Sequence, residues 1–449
     1  MDHFFEFLAS NPRIQYATPT SPDFDNWRPG FVVDEDTIPA VIVRPPFAED
    51  VAALVSVLVT HNLPFSVRAG GHDMFGRSQI HDAITVDLRE IAYVDIDHGG
   101  STVRVGGGIL VADLIKELEK QGLVTPHGLI PSVGYVGLAT HGGYGLLSAQ
   151  YGLGVDQILA ARVVDCHDGI RDADKDMLTA IRGGGGMLGV IVEVTIKVYP
   201  LGQVLAGAMI YDSSNLSMAI SRYNNAYRQL KQDSVPSALN LYQSVMNGPT
   251  GKALTVLFCW ASSDMETGLL WLSKIQDCSP VALCIVSPTT MAAFSLAIEQ
   301  FMPKRVHGTV LTANIHQLTP ELVSVIGFHS SLQPNDSAIL FGIHELRTCT
   351  PPSSLDSVIS TRSPHFVLEI TAIVETPDLL HDAIKWGQLF YDAVHKTDPA
   401  NGMPSTYLPL TSPEKVDIGA IYGAKLQFLR DIKQRYDSRN VFRHTLVQL

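Results

Sequence analysis

Between residues 48 and 61 the apolar side chains fall at Val51, Leu54, Val55 and Leu58, the spacing of one helix face, with Glu49 and Asp50 in the first turn. Pro64 stops this helix. Residues 41–43 before it and 65–67 after it are short β-branched or aromatic runs, so 41–67 reads as a strand-helix-strand unit. Further strands are predicted at 84–88, 101–105 and 158–164, and helices at about 111–120 and 176–181. In residues 190–198, Val192, Val194, Ile196 and Val198 alternate with Glu193, Thr195 and Lys197, the pattern of a half-buried strand. Pro200 closes this region. From 201 to about 405 the glycine clusters vanish and longer patterns appear, such as 254–260, 339–346 and 366–374. They suggest a second domain, a sheet with helices on one side. Residues 349–354 read as a loop. Residues 421–436 read as a helix, and 437–440 as a turn.

Composition narrows the class. The 449 residues are 46 % apolar and 17 % charged, a globular balance sufficient for two or three domains. Lys plus Arg number 32 against 45 Asp plus Glu, giving −13. This argues against a nucleic-acid partner and against attraction to an anionic membrane surface, since both need a basic face. Five cysteines stand at 166, 259, 278, 284 and 349. Their odd number and lack of a Cys-x-x-Cys pair point to buried reduced thiols, not a disulfide framework or a metal site. The segment Met1 to Phe7 has no basic n-region and no long apolar core, and the most apolar early run, Val51 to Val59, is about half the length needed to span a bilayer. A soluble, cytoplasmic protein is expected, with the sequons at Asn215 and Asn335 read as chance matches.

Four glycine clusters crowd the first 190 residues: Gly70-Gly71, Gly106-Gly107-Gly108, Gly142-Gly143-Tyr144-Gly145 and Gly183 to Gly186. Glycine admits close backbone approach, and turns with free N–H groups can hold phosphate oxygens. Gly184-Gly185-Gly186-Met187-Leu188-Gly189 fits G-x-G-x-x-G, but a helix precedes it and a strand follows, the reverse of a dinucleotide fingerprint. The chain contains neither a phosphate-loop lysine motif nor a G-x-S-x-G elbow.

The segment Val67-Arg68-Ala69-Gly70-Gly71-His72-Asp73 runs from a strand into two glycines, a histidine and a turn. Here the chain resembles the FAD-linked oxidases of the vanillyl-alcohol oxidase (PCMH) type, in the branch of berberine bridge enzyme and 6-hydroxy-D-nicotine oxidase. In that family the R-x-G-G-H loop holds the FAD pyrophosphate, and its histidine is bonded to the flavin 8α-methyl carbon. Other segments agree in order and spacing. Residues 105–108 resemble V-G-x-G, and 131–145 resemble P-T-V-G-x-x-G-x-x-x-x-G-G-x-G. Residues 151–156 resemble Y-G-L-x-x-D, 182–192 resemble R-G-G-G-x-x-F-G-I-V, and 436–443 resemble Y-D-P-x-N-x-F-R. The resemblance implies an α+β, two-domain fold. Residues 1–200 and 410–449 would bind FAD, and 201–409 would bind substrate on an antiparallel sheet flanked by helices. It implies FAD contacts from Arg68, Ala69, Gly70, Gly71, His72, Asp73 and Ser78, and from Pro131, Ser132, Val133, Gly134, Gly137, Leu138, Gly142, Gly143 and Gly145. Tyr151, Gly152, Asp156, Gly189, Val190, Val192, Asn440 and Phe442 complete the set. Backbone N–H groups can bind a diphosphate without a basic patch, so the acidic charge is no objection.

The chain also departs from the family. Ile130 stands where many members carry a second flavin-linking cysteine, which implies one covalent bond, to His72. His141 replaces a glycine of the G-G-G-Y-G run, which the resemblance places near the flavin. Tyr407 matches the first tyrosine of Y-x-N-Y, while Pro409 and Leu410 do not match the rest. Glu369, in an apolar strand, is a candidate base whose pKa burial should raise. His344 and Glu345 are weaker candidates of the same kind. Val133 falls where the family controls oxygen access. The implied activity is an oxidase. It would pass a hydride from a small-molecule substrate, a secondary metabolite or alkaloid, to flavin N5, with O2 as acceptor and H2O2 as product. Alternatives are a dehydrogenase with another acceptor, a flavoprotein cyclase or isomerase, and a non-catalytic flavin binder. No metal is expected, and the oligomer would be a monomer or homodimer.

Overall fold

The strands expected in the first 200 residues form within a residue of their predicted ends. The computed structural model describes residues 1–97, 99–167, 169–248, 251–347, 355–404 and 407–449. The predicted loop 349–354 lies outside them, as do Ser405 and Thr406. A four-stranded sheet runs Gln15–Ala17, Val41–Arg44, Ile84–Asp87, Phe65–Arg68, parallel except at its first strand. Helix Ala48–Thr60 crosses over it and buries Val51, Leu54, Val55 and Leu58, the face that the spacing marks. Helix Asp2–Ser10 was not anticipated. Phe4 and Leu8, four residues apart, carry its buried side, a signal legible in hindsight.

The second sheet is antiparallel: Val94–Ile96, Thr102–Gly106, Val190–Lys197, Ile158–Val164, Ile170–Asp172. The half-buried reading of 190–198 holds from Val194 to Val198, where Thr195 and Lys197 keep exposure, and is corrected at Glu193. Glu193 is buried, because Tyr93 reaches over to donate a hydrogen bond to its carboxylate. The last helix is also corrected: it is two helices, Ile418–Tyr422 and Leu426–Tyr436, parted at Gly423. The second of these packs Leu429 and Ile432 into one core with helices Val111–Glu119 and Lys175–Gly184.

The third sheet runs Val281–Cys284, Val204–Tyr211, Gly251–Trp260, Leu239–Gly248, Leu340–Leu346, His365–Val374, His307–Ile315, Gly402–Met403, all antiparallel. Helices Leu216–Leu230, Pro320–Ser331 and Leu380–Thr397 share a core with one of its faces. The opposite face meets the segment 144–155. Leu146 and Leu147 pack with Tyr242, and Leu153 and Val155 with Leu346, Val367 and Tyr407. Val358 and Leu408 join the core around helix Lys175–Gly184, so the chain crosses between the two halves more than once. Among the described residues no helix is long and apolar enough to cross a membrane. The architecture is α+β, as expected: a mostly parallel sheet, an antiparallel sheet, and a large antiparallel sheet flanked by helices.

Candidate active site

Arg68 ends strand Phe65–Arg68 with its side chain fully buried. Its guanidinium donates to the carbonyls of Trp27 at 2.5 Å and Arg28 at 3.0 Å, and to Asp87 Oδ2 at 2.8 Å. Arg44 and Arg89 donate to the same carboxylate. Burial alone would raise the Asp87 pKa, but Arg68 and Arg89 pull it down to about 2. Arg68 therefore anchors the glycine loop from beneath.

The loop itself meets a second glycine loop backbone to backbone. A Cβ on Gly70 would lie 2.3 Å from the Gly134 nitrogen, and one on Gly134 would lie 2.7 Å from the Gly70 nitrogen. No side chain fits at either position. Ala69, Gly71 and Ser78 beside this junction are partly exposed, and the Ser78 carbonyl accepts from Ser66 Oγ at 3.0 Å. His72 is also partly exposed and stacks on Phe31, with centroids 4.5 Å apart and 18° between planes. Loss of hydration around the ring pushes its pKa down to about 4. The imidazole is thus neutral at pH 7 and keeps a nucleophilic lone pair. Asp73 accepts from the Arg77 backbone at 2.6 Å and from its guanidinium, which also reaches the Leu408 carbonyl at 3.1 Å.

In the second loop Pro131 is buried, while Ser132, Val133, Gly137 and Leu138 keep some exposure on one side. His141 follows helix Tyr135–Thr140. Its Nδ1 bonds the Gly137 carbonyl at 2.8 Å, and Nε2 has no protein partner among the described residues. The ring lies on Gly185, where a Cβ would come within 2.2 Å of it. Burial lowers its pKa to about 4. Gly143 accepts from Gly154 N at 2.6 Å, Gly145 donates to Ser148 Oγ at 2.9 Å, and Gly142 abuts the Tyr407 ring.

The other residues of the expected set have the following surroundings. Tyr151 stacks on Tyr199 at 4.1 Å. Asp156 accepts from Arg362 at 2.9 Å and Leu153 N at 3.0 Å, yet burial outweighs both and raises its pKa. Gly152 sits beside that carboxylate. Gly189 is pressed on Val163 and Val164. Val190, Val192 and Phe442 are core residues, with Phe442 edge-on to Phe65 at 5.9 Å. Asn440 is exposed in a left-handed turn at φ 51°.

From the second glycine loop Tyr144 reaches a carboxylate on the third sheet. Glu369 lies mid-strand, in register with Thr312 on one side and Gly342 on the other. Tyr144 donates a hydrogen bond to its Oε1, His344 Nε2 is 3.6 Å from the same oxygen, and the Tyr242 hydroxyl is 3.5 Å from Oε2. The expected rise in pKa is corrected. Burial does push upward, but His344 and the hydrogen bonds from His344, Tyr144 and Tyr242 hold the carboxyl below its ordinary value. Tyr407 is buried edge-on to Tyr144 at 4.5 Å, and its hydroxyl meets His365 Nε2 at 3.3 Å. His365 Nδ1 is held by the Ser363 carbonyl at 2.8 Å, so Nε2 is the acceptor for Tyr407. Glu345 points to the other face, bonded by Tyr227 at 2.6 Å and paired with Lys231, away from Glu369. Tyr144, Tyr242 and His365 were not foreseen. Only Tyr144 stood in a readable motif; the other two are brought in by strand register.

The glycine junction fits a cofactor whose backbone-held group needs close approach, and the neutral His72 beside it fits a covalent flavin link. A family profile for an FAD binding domain matches residues 39–173. The FAD-linked oxidoreductase aurO of Gibberella zeae is 30 % identical over 437 residues, covering 96 % of this chain and 85 % of that protein. The chain belongs to the FAD-linked oxidoreductases, and it is an enzyme of that class. The (R)-6-hydroxynicotine oxidase of Paenarthrobacter nicotinovorans is 38 % identical over 189 residues, 40 % of this chain and 41 % of that protein. The solved 6-hydroxy-D-nicotine oxidase of Arthrobacter nicotinovorans superposes with a TM-score of 0.85 at 21 % identity, covering 96 % of this chain and 97 % of that one.

Proposed function

We propose that the protein is an oxidase with one covalently bound FAD, acting on a small-molecule secondary metabolite or alkaloid. The observation that carries this reading is the link between the glycine-rich segment and the third sheet: Tyr144, within 131–145, whose Gly134 meets Gly70 beside His72, donates a hydrogen bond to Glu369. Residues 1–200 with 410–449 would form the flavin domain and 201–409 the substrate domain. The loops 68–78 and 131–145 would hold the cofactor, with His72 bonded to the 8α-methyl carbon. When bound, FAD supplies a hydride acceptor at N5 and returns both electrons to O2, which leaves as H2O2. Glu369 is assigned the base that takes a proton from a substrate O–H or N–H beside the oxidised carbon. Tyr144 and Tyr407 would wall the substrate space, with the Tyr407 hydroxyl held by His365 Nε2. The four described cysteines are free, which supports a cytoplasmic setting.

Two measurements test this. Acid-precipitated protein should stay yellow, and His72→Ala should shed its flavin under the same treatment. A colourless wild-type pellet would end the covalent assignment. The second measurement concerns oxygen. Val133 is partly exposed beside the glycine junction and packs into the neighbouring core. One extra methylene there meets close-packed surroundings that relax little. Flavin reduced anaerobically with dithionite should reoxidise quickly in aerated buffer, and markedly more slowly in Val133→Leu. Slow wild-type reoxidation with fast turnover by a quinone would make the enzyme a dehydrogenase.

A further inference from the structure

We propose that Gly342, Tyr242 and His344 form a positioning array for Glu369, with His344 beside Oε1 and the Tyr242 phenol, seated on Gly342, approaching Oε2. This rests on the reading of Glu369 as the base. Three neighbouring strands build it. Tyr242 on Leu239–Gly248 pairs with His344 on Leu340–Leu346, and Gly342 pairs with Glu369 on His365–Val374. Tyr242 therefore starts two strands away from Glu369. Its phenol bridges that distance by lying across Gly342, where an added Cβ would come within 2.1 Å of the hydroxyl oxygen and 2.7 Å of the carbon bearing it. Any other residue at 342 would lift the phenol off the sheet. That gives this strand glycine a purpose unrelated to backbone conformation.

His344 is the second member. It is 6 % exposed, and its ring is packed between Tyr242, 4.3 Å away, and Tyr144, 4.7 Å away. The two rings fix the imidazole with Nε2 3.6 Å from Oε1. The groups facing Glu369 are then Tyr144 from the glycine-rich segment, His344 and Gly342 from the adjoining strand, Tyr242 from the strand beyond, and Thr312 from the other side. Oε1 accepts from the Tyr144 hydroxyl and has the imidazole 3.6 Å away. Among the described residues Oε2 has a single, long approach, that of Tyr242 at 3.5 Å, so a lone pair there is open to a substrate proton. The array has two effects: it orients the carboxylate, and it favours the ionised form over the neutral one that burial would impose.

The test uses the flavin-loaded enzyme without substrate. Infrared difference spectra are recorded across a pH titration, with the Glu369 carboxylate band assigned by its loss in Glu369→Gln. In His344→Phe the midpoint of that band should rise by about one pH unit or more, because hydrogen-bonding and charge support is withdrawn while burial stays. His344→Gln, which keeps a donor, should recover part of the shift. Gly342→Ala and Tyr242→Phe should each move the midpoint in the same direction, and the double variant should add little to either, since both act through one phenol. Unchanged midpoints in His344→Phe and Gly342→Ala, with native circular dichroism and flavin absorbance, would overturn the array. The base reading fails separately: the midpoints would shift as expected while Glu369→Gln still reduced its flavin at the wild-type rate.

Discussion

Glu369→Gln is expected to slow anaerobic flavin reduction by about 10²–10⁴, the usual contribution of a positioned proton acceptor. Any compound that bleaches the wild-type flavin serves as substrate, and its binding constant should change far less than the rate. The amide matches the carboxylate in volume and its oxygen can still accept from Tyr144, so the sheet face should survive the change. The amide has lost the basic lone pair at the oxygen that Tyr242 approaches only at 3.5 Å. The pH dependence follows from the sign of the shift. The carboxyl is held below its ordinary value, chiefly by His344 working against burial. A base acts only when ionised, so the rate should be flat through neutral pH and fall only below the ordinary glutamate range. A Glu369→Gln enzyme that reduces its flavin as fast as wild type would place Glu369 among the structural residues.

The parts of this site written in local sequence were readable, and the parts made by register were not. The strand-helix-strand unit at 41–68 follows from one helical spacing and one proline, and the glycine loops announce themselves because a backbone junction tolerates nothing larger. Glu369 was found because a lone carboxylate in an apolar strand is conspicuous. Its pKa direction was misjudged for a physical reason. Burial is visible in the flanking Leu368 and Ile370, but the groups opposing it come from Tyr144, Tyr242 and His344, residues 25 to 225 positions away. Glu193 failed in the same way. Alternation placed it toward solvent, and Tyr93, just before edge strand Val94–Ile96, covered it. His365 gave no sign at all, since its role depends on Tyr407 arriving from the far side of helix Leu380–Thr397. Arg68 was rightly singled out with the loop, yet no motif says that it faces inward to Asp87.

That inward pair carries the other large expectation. Asp87→Asn should destabilise the fold by about 3–5 kcal/mol at pH 7, the usual consequence of leaving a buried charge without its partner. Asp87 is fully buried and is the common acceptor for Arg68, Arg44 and Arg89; of these Arg68 is fully buried, while the other two keep some solvent. An asparagine cannot neutralise Arg68, and its amide hydrogens would face the guanidiniums. The native carboxylate is lowered from 3.8 to about 2, largely by Arg68 and Arg89 against burial, which corresponds to about 2 kcal/mol. A depressed folded pKa contributes stability that is whole above the unfolded value. It drains away as pH falls from about 4 toward about 2. Urea unfolding of wild type and Asp87→Asn should therefore differ most at pH 7, and the gap should narrow below pH 4. Because Arg68 and Asp87 are paired neighbours on adjacent parallel strands, the glycine loop loses its footing with the ion pair. Asp87→Asn should accordingly release flavin, or fail to bond it to His72, at denaturant concentrations that leave the wild type intact. A variant as stable as wild type at pH 7, with its flavin equally retained, would mean that the three arginines hold the loop without the carboxylate between them.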